Sequence, residues 1–436
     1  MGDAPRLDTL FHRDPTRDLE EVQKVGATDQ AERDVEEFCE TESARRALER
    51  LSGVVSKSPA VRDPRFLYLH ATFGSGKTHL LKLISYATGQ TKAPASVVSD
   101  LSTRFEGFQH LRTAIEEAPT DRFVPVFLNL LDRDASAEPP IPVLIYEAIG
   151  SRLGYPTDPR WLLEFLLRLE EEAPETDVWA HLQDQEVGGR GLLDDRGRIR
   201  TWLYEAVPPV LGEAGVSCTQ EEIQTWIGAA ENAVSGGAFG AEDLRDRVEQ
   251  VQSLLSRRSG QPTELLIGLD EIALFIGDER SRYEELRQAM RALIDGPNPV
   301  VLGTGQWALK TVHDDFVGDP DPEAWYSQEV QLEGADTETV VRRRWLQKKS
   351  QRRGEVEGAI AAMPDPPGAL ANGADSREDA VAAYPLRPGD LHWIREAMQS
   401  LLTGGRGAAT EHIQGRALLV LVRALFVRRG WAKQEL

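Results

Sequence analysis

One stretch decides the fold of this chain: Phe66-Leu-Tyr-Leu-His70-Ala-Thr-Phe-Gly74-Ser-Gly76-Lys77-Thr78-His-Leu-Leu-Lys-Leu-Ile-Ser-Tyr-Ala87. Its first five residues form a short apolar run of β-favouring residues, and the apolar residues after Thr78 recur at helical spacing. Strand, glycine-rich turn and helix in this order are the context that a phosphate-binding loop requires. The alternative interpretation is a chance turn between a strand and a helix.

The loop predicts a nucleotide site built from consecutive residues, namely Phe73, Gly74, Ser75, Gly76, Lys77, Thr78 and His79. The glycines let backbone N–H groups turn inward around an anion, and the start of the helix adds partial positive charge. We expect Lys77 to reach the β- and γ-phosphates of ATP and Thr78 to hold Mg²⁺. The pattern G-x-x-x-x-G-K-[ST] has glycine where this chain has Ala71, which restricts the backbone if that position needs a positive φ.

A second stretch, Glu264-Leu-Leu-Ile-Gly-Leu-Asp270-Glu271, runs from apolar residues into two adjacent carboxylates. This pattern is typical of a buried parallel strand that ends at a site. In a nucleotide hydrolase Asp270 would orient the magnesium water shell, and Glu271 would polarise the attacking water. The pattern alone is weak, but behind a phosphate-binding loop it becomes a strong signal.

The run Pro299-Val-Val-Leu-Gly-Thr304-Gly-Gln306 predicts another buried strand that ends in polar residues. Because its end would lie beside the other two strand ends, we expect it to sense the γ-phosphate. The predicted catalytic residues are therefore Lys77, Glu271 and Gln306.

Two further runs complete the predicted sheet. Phe123–Leu131 predicts a strand whose Pro125 favours an edge position or a bulge, and Gln328–Leu332 predicts a fifth strand. The expected fold class is α/β: a P-loop NTPase core with a mostly parallel five-stranded sheet, a large helical insertion and a helical C-terminal region.

Periodicity divides the chain into three parts. We predict an N-terminal helical region over residues 1–60, a core over 61–335 with a helical insertion at about 139–262, and a lid-like helical region over 336–436. The tryptophans of the insertion are expected in its core rather than in a ligand site; they are Trp161, Trp179, Trp202 and Trp226.

Two segments of the C-terminal region leave alternatives open. Residues 336–353 predict a charged helix, whose basic part Arg342–Arg353 is either a solvated face that balances an acidic neighbour or a functional one. The functional form is a local contact with the DNA phosphate backbone, or an arginine that reaches the γ-phosphate of a neighbouring subunit in a homo-oligomer. The apolar run Leu418–Phe426 is either buried on all sides or docked against something outside this chain.

The composition excludes several classes of protein. The 436 residues contain 71 Asp and Glu against 50 Lys and Arg, a net charge of −21, so any contact with DNA must be local. Adaptation to a salty cytoplasm and a simply acidic protein are equally good explanations of this charge. The sequence has neither an apolar run of membrane-spanning length nor a secretory leader, and its two cysteines lack metal-ligand spacing. We predict a cytoplasmic protein without membrane contact.

Four segments together resemble the large P-loop ATPase of BREX phage-resistance systems, the BrxC/PglY-like group of AAA-like P-loop NTPases: FLYLHATFGSGKTHLL, ELLIGLDEIALFIG, PVVLGTGQ and TVVRRRWLQKK. The resemblance covers nearly the whole chain in the same order. It implies binding of ATP and Mg²⁺, cytoplasmic defence against phage DNA, and work alongside a DNA methyltransferase and other defence-system proteins.

Three functions compete. The first is an ATPase that couples hydrolysis to conformational change, which the intact pair of Asp270 and Glu271 favours. The second is a nucleotide-binding switch or scaffold with little hydrolysis, for which Ala71 leaves room. The third is a small-molecule kinase, which the long insertion, the glutamate after Asp270 and the basic segment disfavour.

Overall fold

The computed structural model of the chain describes residues 6–17, 30–60, 63–71, 76–89, 94–118, 122–131, 139–186, 191, 196–234, 239–309, 328–332, 336–362, 377–387, 389–394 and 414–428. Five strands form a single sheet: β1 (Phe66–His70), β2 (Arg122–Asn129), β3 (Thr263–Asp270), β4 (Val300–Gly305) and β5 (Gln328–Gln331). Their order across the sheet is β2-β3-β4-β1-β5, and every pairing is parallel. The predicted α/β class with a parallel five-stranded sheet is confirmed.

The position of β2 explains how the sheet accommodates Pro125. β2 pairs with β3 alone and forms one edge of the sheet. Proline has no backbone N–H to donate to a second neighbour, so an edge is where a strand tolerates it. The predicted edge position is confirmed.

Helices cover both faces of the sheet. One layer consists of α1 (Ala31–Glu37), α2 (Glu42–Val55), α3 (Lys77–Ala87), α4 (Ala95–Arg104) and α5 (Glu106–Glu116). The other consists of α6 (Ile141–Arg152), α7 (Arg160–Glu172), α8 (Val178–Gln183), α9 (Ile199–Glu213), α10 (Gln220–Val234), α11 (Ala241–Ser259), α12 (Ile272–Ile276) and α13 (Arg280–Asp295).

The alternation of side chains along each strand joins the two layers to one sheet. Phe66 and Tyr68 pack with the layer of α6–α13, whereas Leu67 and Leu69 pack with the layer of α1–α5. Successive side chains of a strand point to opposite faces, so a strand buried on both sides is apolar throughout. This is why β1 and β3 are continuous apolar runs.

Helices α6–α11 lie between β2 and β3, where the helical insertion was predicted, and their apolar side chains belong to the same buried cluster as one face of the sheet. Trp179 and Trp202 are buried, while Trp161 and Trp226 are partly buried against that cluster. All four therefore act as packing residues, as predicted.

A third buried cluster forms the C-terminal region. It joins the 3₁₀ helix Leu7–Leu10 and Phe11 to elements of the C-terminal third, in which Arg353–Ala361, Arg377–Ala383 and Gln414–Arg428 are α-helices. The rings of Phe11 and Phe426 pack edge to face, and their centroids lie 5.4 Å apart. Residues 7–11 thus pack with the C-terminal region, whereas α1 and α2 pack on the sheet.

The prediction of one charged helix over residues 336–353 is wrong. An α-helix covers Asp336–Val340, a π-helix covers Val341–Trp345, and the chain is then extended until the 3₁₀ helix Ser350–Arg352. Lys348 forms an isolated antiparallel bridge with Phe11. The break follows from burial, because Trp345 and Leu346 are both buried in the third cluster.

The three consecutive arginines of this segment contact three different partners. These are Asp379, 3.6 Å from Arg342, the Glu40 carbonyl, 3.3 Å from Arg343, and the buried carboxylate of Glu37, which pairs with Arg344. Successive helical residues point about 100° apart, so at most one or two of the three can serve any single site.

The apolar run Leu418–Phe426 lies within the helix Gln414–Arg428 and is not buried on all sides. Val422 and Phe426 are buried, but Val420 and Leu421 are 50% and 38% exposed. The other alternative, docking against another molecule, stays a prediction. Within the described ranges, no helix combines the length and apolar character needed to cross a membrane.

Candidate functional site

Three strand ends bring the predicted site residues together. β1, β3 and β4 end at His70, Asp270 and Gly305, and β4 lies between the other two. All strands are parallel, so their carboxyl ends open onto one edge of the sheet, where ligands of α/β proteins bind. Lys77 begins the helix that follows β1, which brings it to the same edge.

The backbone around the start of α3 shows why the loop needs glycine at position 76 but not at position 71. Gly76 precedes the helix with φ 88°, a conformation that side-chain-bearing residues rarely adopt. Among the described non-glycine residues, only Glu271 and Asn298 have a positive φ, so Ala71 does not. Its methyl group is buried at 3% exposure. Ala71 therefore imposes no backbone strain; Phe73, Gly74 and Ser75 lie outside the described residues.

Lys77 is buried and donates from Nζ to the Ala71 carbonyl oxygen at 2.8 Å. The carbonyl immediately after β1 thus holds the lysine at the sheet edge. An ammonium has three donor hydrogens, which is more than the bond to Ala71 uses.

Asp270 is the centre of a hydrogen-bond network that spans the chain. It is fully buried, and its Oδ2 accepts from Thr78 Oγ1 at 3.0 Å, while its Oδ1 accepts from Thr304 Oγ1. Thr304 Oγ1 in turn accepts from the Glu271 backbone N–H at 3.1 Å. Residues from α3, β3 and β4 are therefore held in one arrangement.

Glu271 combines a strained backbone with an unpartnered side-chain oxygen. Its φ of 63° lies in the left-handed region, which costs a non-glycine residue about 1–2 kcal/mol. Its Oε2 is buried without a hydrogen-bond partner among the described residues, and so is Oε1 of the neighbouring Gln306. Strained backbone and unsatisfied buried acceptors are features that functional sites retain.

The electrostatics of the site follow from burial. Burial raises the pKa of Asp270, against opposing hydrogen bonds from Thr304 and Thr78 and the charge of Lys77. Burial also raises the pKa of Glu271, opposed by Lys77 and by a hydrogen bond with Gln306 and assisted by the charge of Asp270. Burial lowers the pKa of Lys77, against both carboxylates. Two carboxylates and one lysine thus share a poorly hydrated site with one excess negative charge when all are ionised.

The donor set fits Mg²⁺ held together with phosphate oxygens. Within the described ranges there is no cluster of three or more His, Cys, Asp or Glu that would bind a metal ion by itself. Mg²⁺ usually takes one or two protein oxygens and completes its shell with water and phosphate. Thr78 Oγ1 and Asp270 Oδ2, 3.0 Å apart, are such a pair.

His79 is placed differently from its neighbours. Its Nε2 donates to the Asp34 carbonyl oxygen of α1 at 2.8 Å, and its ring meets Phe38 edge to face. The contacts of this side chain are thus with α1 and the residue that follows it. Its backbone N–H lies in the first turn of α3, the part of a helix that binds anions.

The sequence predicted Thr304 at a strand end, but Thr304 was not among the predicted site residues. Its hydroxyl connects Asp270 to the Glu271 backbone, which makes it a positioning residue of the network. Gly305 is a second omission, since a Cβ there would overlap the Tyr68 hydroxyl. The sequence pattern that indicated both Thr304 and Gly305 was the order Thr-Gly-Gln at the strand end.

Comparison of the chain with protein-family models and with curated proteins gave no match, so the geometry of the site is what supports a function.

Proposed function

We propose that the chain binds ATP with Mg²⁺ and hydrolyses ATP, coupling turnover to conformational change. The observation that carries the proposal is the network in which Asp270 accepts hydrogen bonds from Thr78 and Thr304, with Glu271 bonded to the same threonine. The bond from Thr78 to Asp270 joins two residues that lie 192 positions apart in the sequence. A chance turn between a strand and a helix gives no reason for this convergence.

In this proposal each side chain has one task. Lys77 binds the phosphates of the substrate, and Thr78 and Asp270 would hold Mg²⁺, which neutralises phosphate charge when bound. Glu271 accepts the hydrogen bond of the attacking water through its unpartnered oxygen. Gln306 orients Glu271 and keeps its own amide oxygen available.

The biological setting is proposed on the resemblance alone. We infer that the ATPase works in a BREX-type phage-defence complex, with a DNA methyltransferase and other defence-system proteins as partners. Assembly into a homo-oligomer belongs to the same proposal. Local DNA contact through Arg342–Arg353 stays a prediction, which a measurement of oligonucleotide binding would test. The alternative of a switch or scaffold with little hydrolysis has less support, because Ala71 does not strain the loop backbone.

Two substitutions test the activity because the proposal requires them to fail differently. Lys77→Ala should weaken ATP binding and stop turnover, since Lys77 contacts the substrate directly. Glu271→Gln should retain ATP and Mg²⁺ binding but lose turnover by about 10²–10⁴-fold, the order expected for a positioned base. Nucleotide titration and phosphate release, measured on both variants, give the two quantities.

Matched variants outside the site serve as controls. Glu279→Gln changes an exposed carboxylate paired with Arg282, and Lys57→Ala changes a lysine near Asp63. Both should bind and hydrolyse ATP as the wild type does. Near-normal turnover in Lys77→Ala and Glu271→Gln would overturn the ATPase proposal, and binding without turnover in the wild type would favour the switch.

A further inference from the structure

A cavity of about 470 Å³ lies in the C-terminal region, away from the strand ends. The π-helix Val341–Trp345, the extended segment after it and the helix Arg377–Ala383 form its walls. Cavities of about 300–1,000 Å³ are the size that proteins use for small ligands. The proposed ATPase activity assigns no role to this cavity.

The charge of the cavity wall is opposite to that of the protein. Four cationic side chains line it against a single carboxylate, that of Glu378; they are Arg342, Arg343, Lys348 and Arg353. The chain as a whole carries a net charge of −21. A concentration of positive charge in so acidic a protein needs a local reason, and a concave wall of one sign concentrates ligands of the other sign.

Salt bridges neutralise only part of this wall. Arg353 lies 3.2 Å from both Glu357 and Glu378, and Arg342 lies 3.6 Å from Asp379. The described contacts of Arg343 and Lys348 are instead with backbone carbonyl oxygens, and no described carboxylate pairs with either side chain.

Lys348 is partly buried, whereas Arg343 and Arg353 are exposed. Its Nζ donates to the Ala382 carbonyl oxygen at 2.8 Å and lies 5.7 Å from the centre of the Phe11 ring. Burial, with a further contribution from the charge of Arg342, lowers the pKa of Lys348 to about 7. From the N-terminal segment the neutral Phe11 faces it, and from the cavity wall the charged groups are Arg342, Arg343, Arg353 and Glu378.

We propose that this cavity binds a nucleotide-sized organic anion that carries a phosphate group. The phosphate would lie against Arg343 and Lys348, whose charges lack an acidic partner among the described contacts. Leu346 and Val381 form an apolar part of the wall, which suits the body of an organic ligand better than inorganic phosphate. The concave shape favours a small ligand over a nucleic-acid backbone, which needs an extended basic surface.

Binding should involve uptake of a proton. A phosphate beside Lys348 favours its charged form, so affinity should fall as pH rises above about 7. A phosphate monoester has its own second pKa near 6, so the test is done between pH 7 and 8.5, where the probe remains dianionic. Over this range the affinity of the wild type should fall about tenfold.

The experiment uses the full chain carrying Lys77→Ala, which impairs the candidate ATP site, and titrates it with AMP by calorimetry. AMP should bind, whereas adenosine, which lacks the phosphate, should not. Adding Lys348→Met should weaken AMP binding at least tenfold and abolish the pH dependence, while preserving the aliphatic packing of that side chain. Adding Lys349→Met is the matched control, because the neighbouring lysine does not line the cavity and should leave binding unchanged.

Arg343→Gln keeps the test decisive if Lys348→Met melts at a lower temperature, since Arg343 is exposed and should not affect folding. It too should weaken AMP binding at least tenfold. The proposal is overturned if AMP fails to bind, if adenosine binds equally well, or if only a single-stranded oligonucleotide binds. Equal AMP binding in the Lys348→Met and Lys349→Met proteins would also overturn it. None of these outcomes depends on whether the chain hydrolyses ATP.

Discussion

The two ends of the same sheet differ in how completely their buried charged side chains are hydrogen-bonded. At the amino end, Arg65 precedes β1 and pairs with Glu264 of β3 at 2.5 Å. At the carboxyl end, Lys77 follows β1 and interacts with Asp270 and Glu271, which end and follow β3. Both ends combine a cation from the β1 region with carboxylates from the β3 region, and all of these side chains are buried.

The difference lies in how completely each group is satisfied. Arg65 donates to Glu264 and also to the carbonyl oxygens of Val54, Val55 and Asn298. Glu271, by contrast, has an unpartnered oxygen and a left-handed backbone. A buried ion that is paired and hydrogen-bonded on several sides serves the fold, whereas a buried ion with an unpartnered oxygen is available to a ligand.

The largest effect is expected from breaking the amino end. Glu264→Gln leaves the Arg65 guanidinium buried without a carboxylate and should lower the free energy of unfolding by about 3–5 kcal/mol. Urea unfolding of the purified variant measures this loss. The double variant Arg65→Met, Glu264→Leu should recover part of it, because no charge then remains buried. A loss below about 1 kcal/mol in Glu264→Gln would contradict the contrast between the two ends.

A smaller effect of opposite sign is expected from neutralising the carboxyl end. Burial raises the pKa of Glu271, so the folded chain loses stability as pH rises from the ordinary pKa of glutamate through the raised one. Glu271→Gln removes this loss and places an amide beside the unpartnered Gln306 oxygen. The variant should be more stable than the wild type by about 1 kcal/mol at neutral pH, although its turnover is lost.

Thermal melts of both proteins from pH 4 to 8 check this prediction. The melting temperatures should coincide at the acidic end and separate as pH rises. Separation in the other direction would show that the Glu271 carboxylate stabilises the fold, as Glu264 does.

The smallest effect is expected at Ala71, between β1 and Gly76. Because Ala71 has no positive φ and its methyl group is buried, Ala71→Gly should cost about 0.5–1 kcal/mol of stability through added freedom of the unfolded chain. ATP affinity, measured by titration, should change less than about twofold. A marked gain in affinity would mean that alanine restricts the phosphate-binding loop after all.

The sequence alone determined much of this architecture. Apolar runs of strand length identified four strands, the run Gln328–Leu332 predicted the fifth, and Pro125 favoured an edge position or a bulge for β2. The convergence of Lys77, Asp270 and Gln306 was also predictable, since parallel strands end at one edge of their sheet. These features depend on local patterns and on a topological rule, which a sequence carries in full.

Only the tertiary structure decided how individual side chains are used. The basic run Arg342–Arg353 was predicted as one helix, but packing of Trp345 and Leu346 breaks it, and its cations separate into paired groups and a cavity wall. The left-handed conformation of Glu271 and the bond between Thr304 and Asp270 were equally invisible in the sequence. Each depends on contacts between residues far apart in the chain, and local periodicity contains no information on which distant side chain will fill a given space.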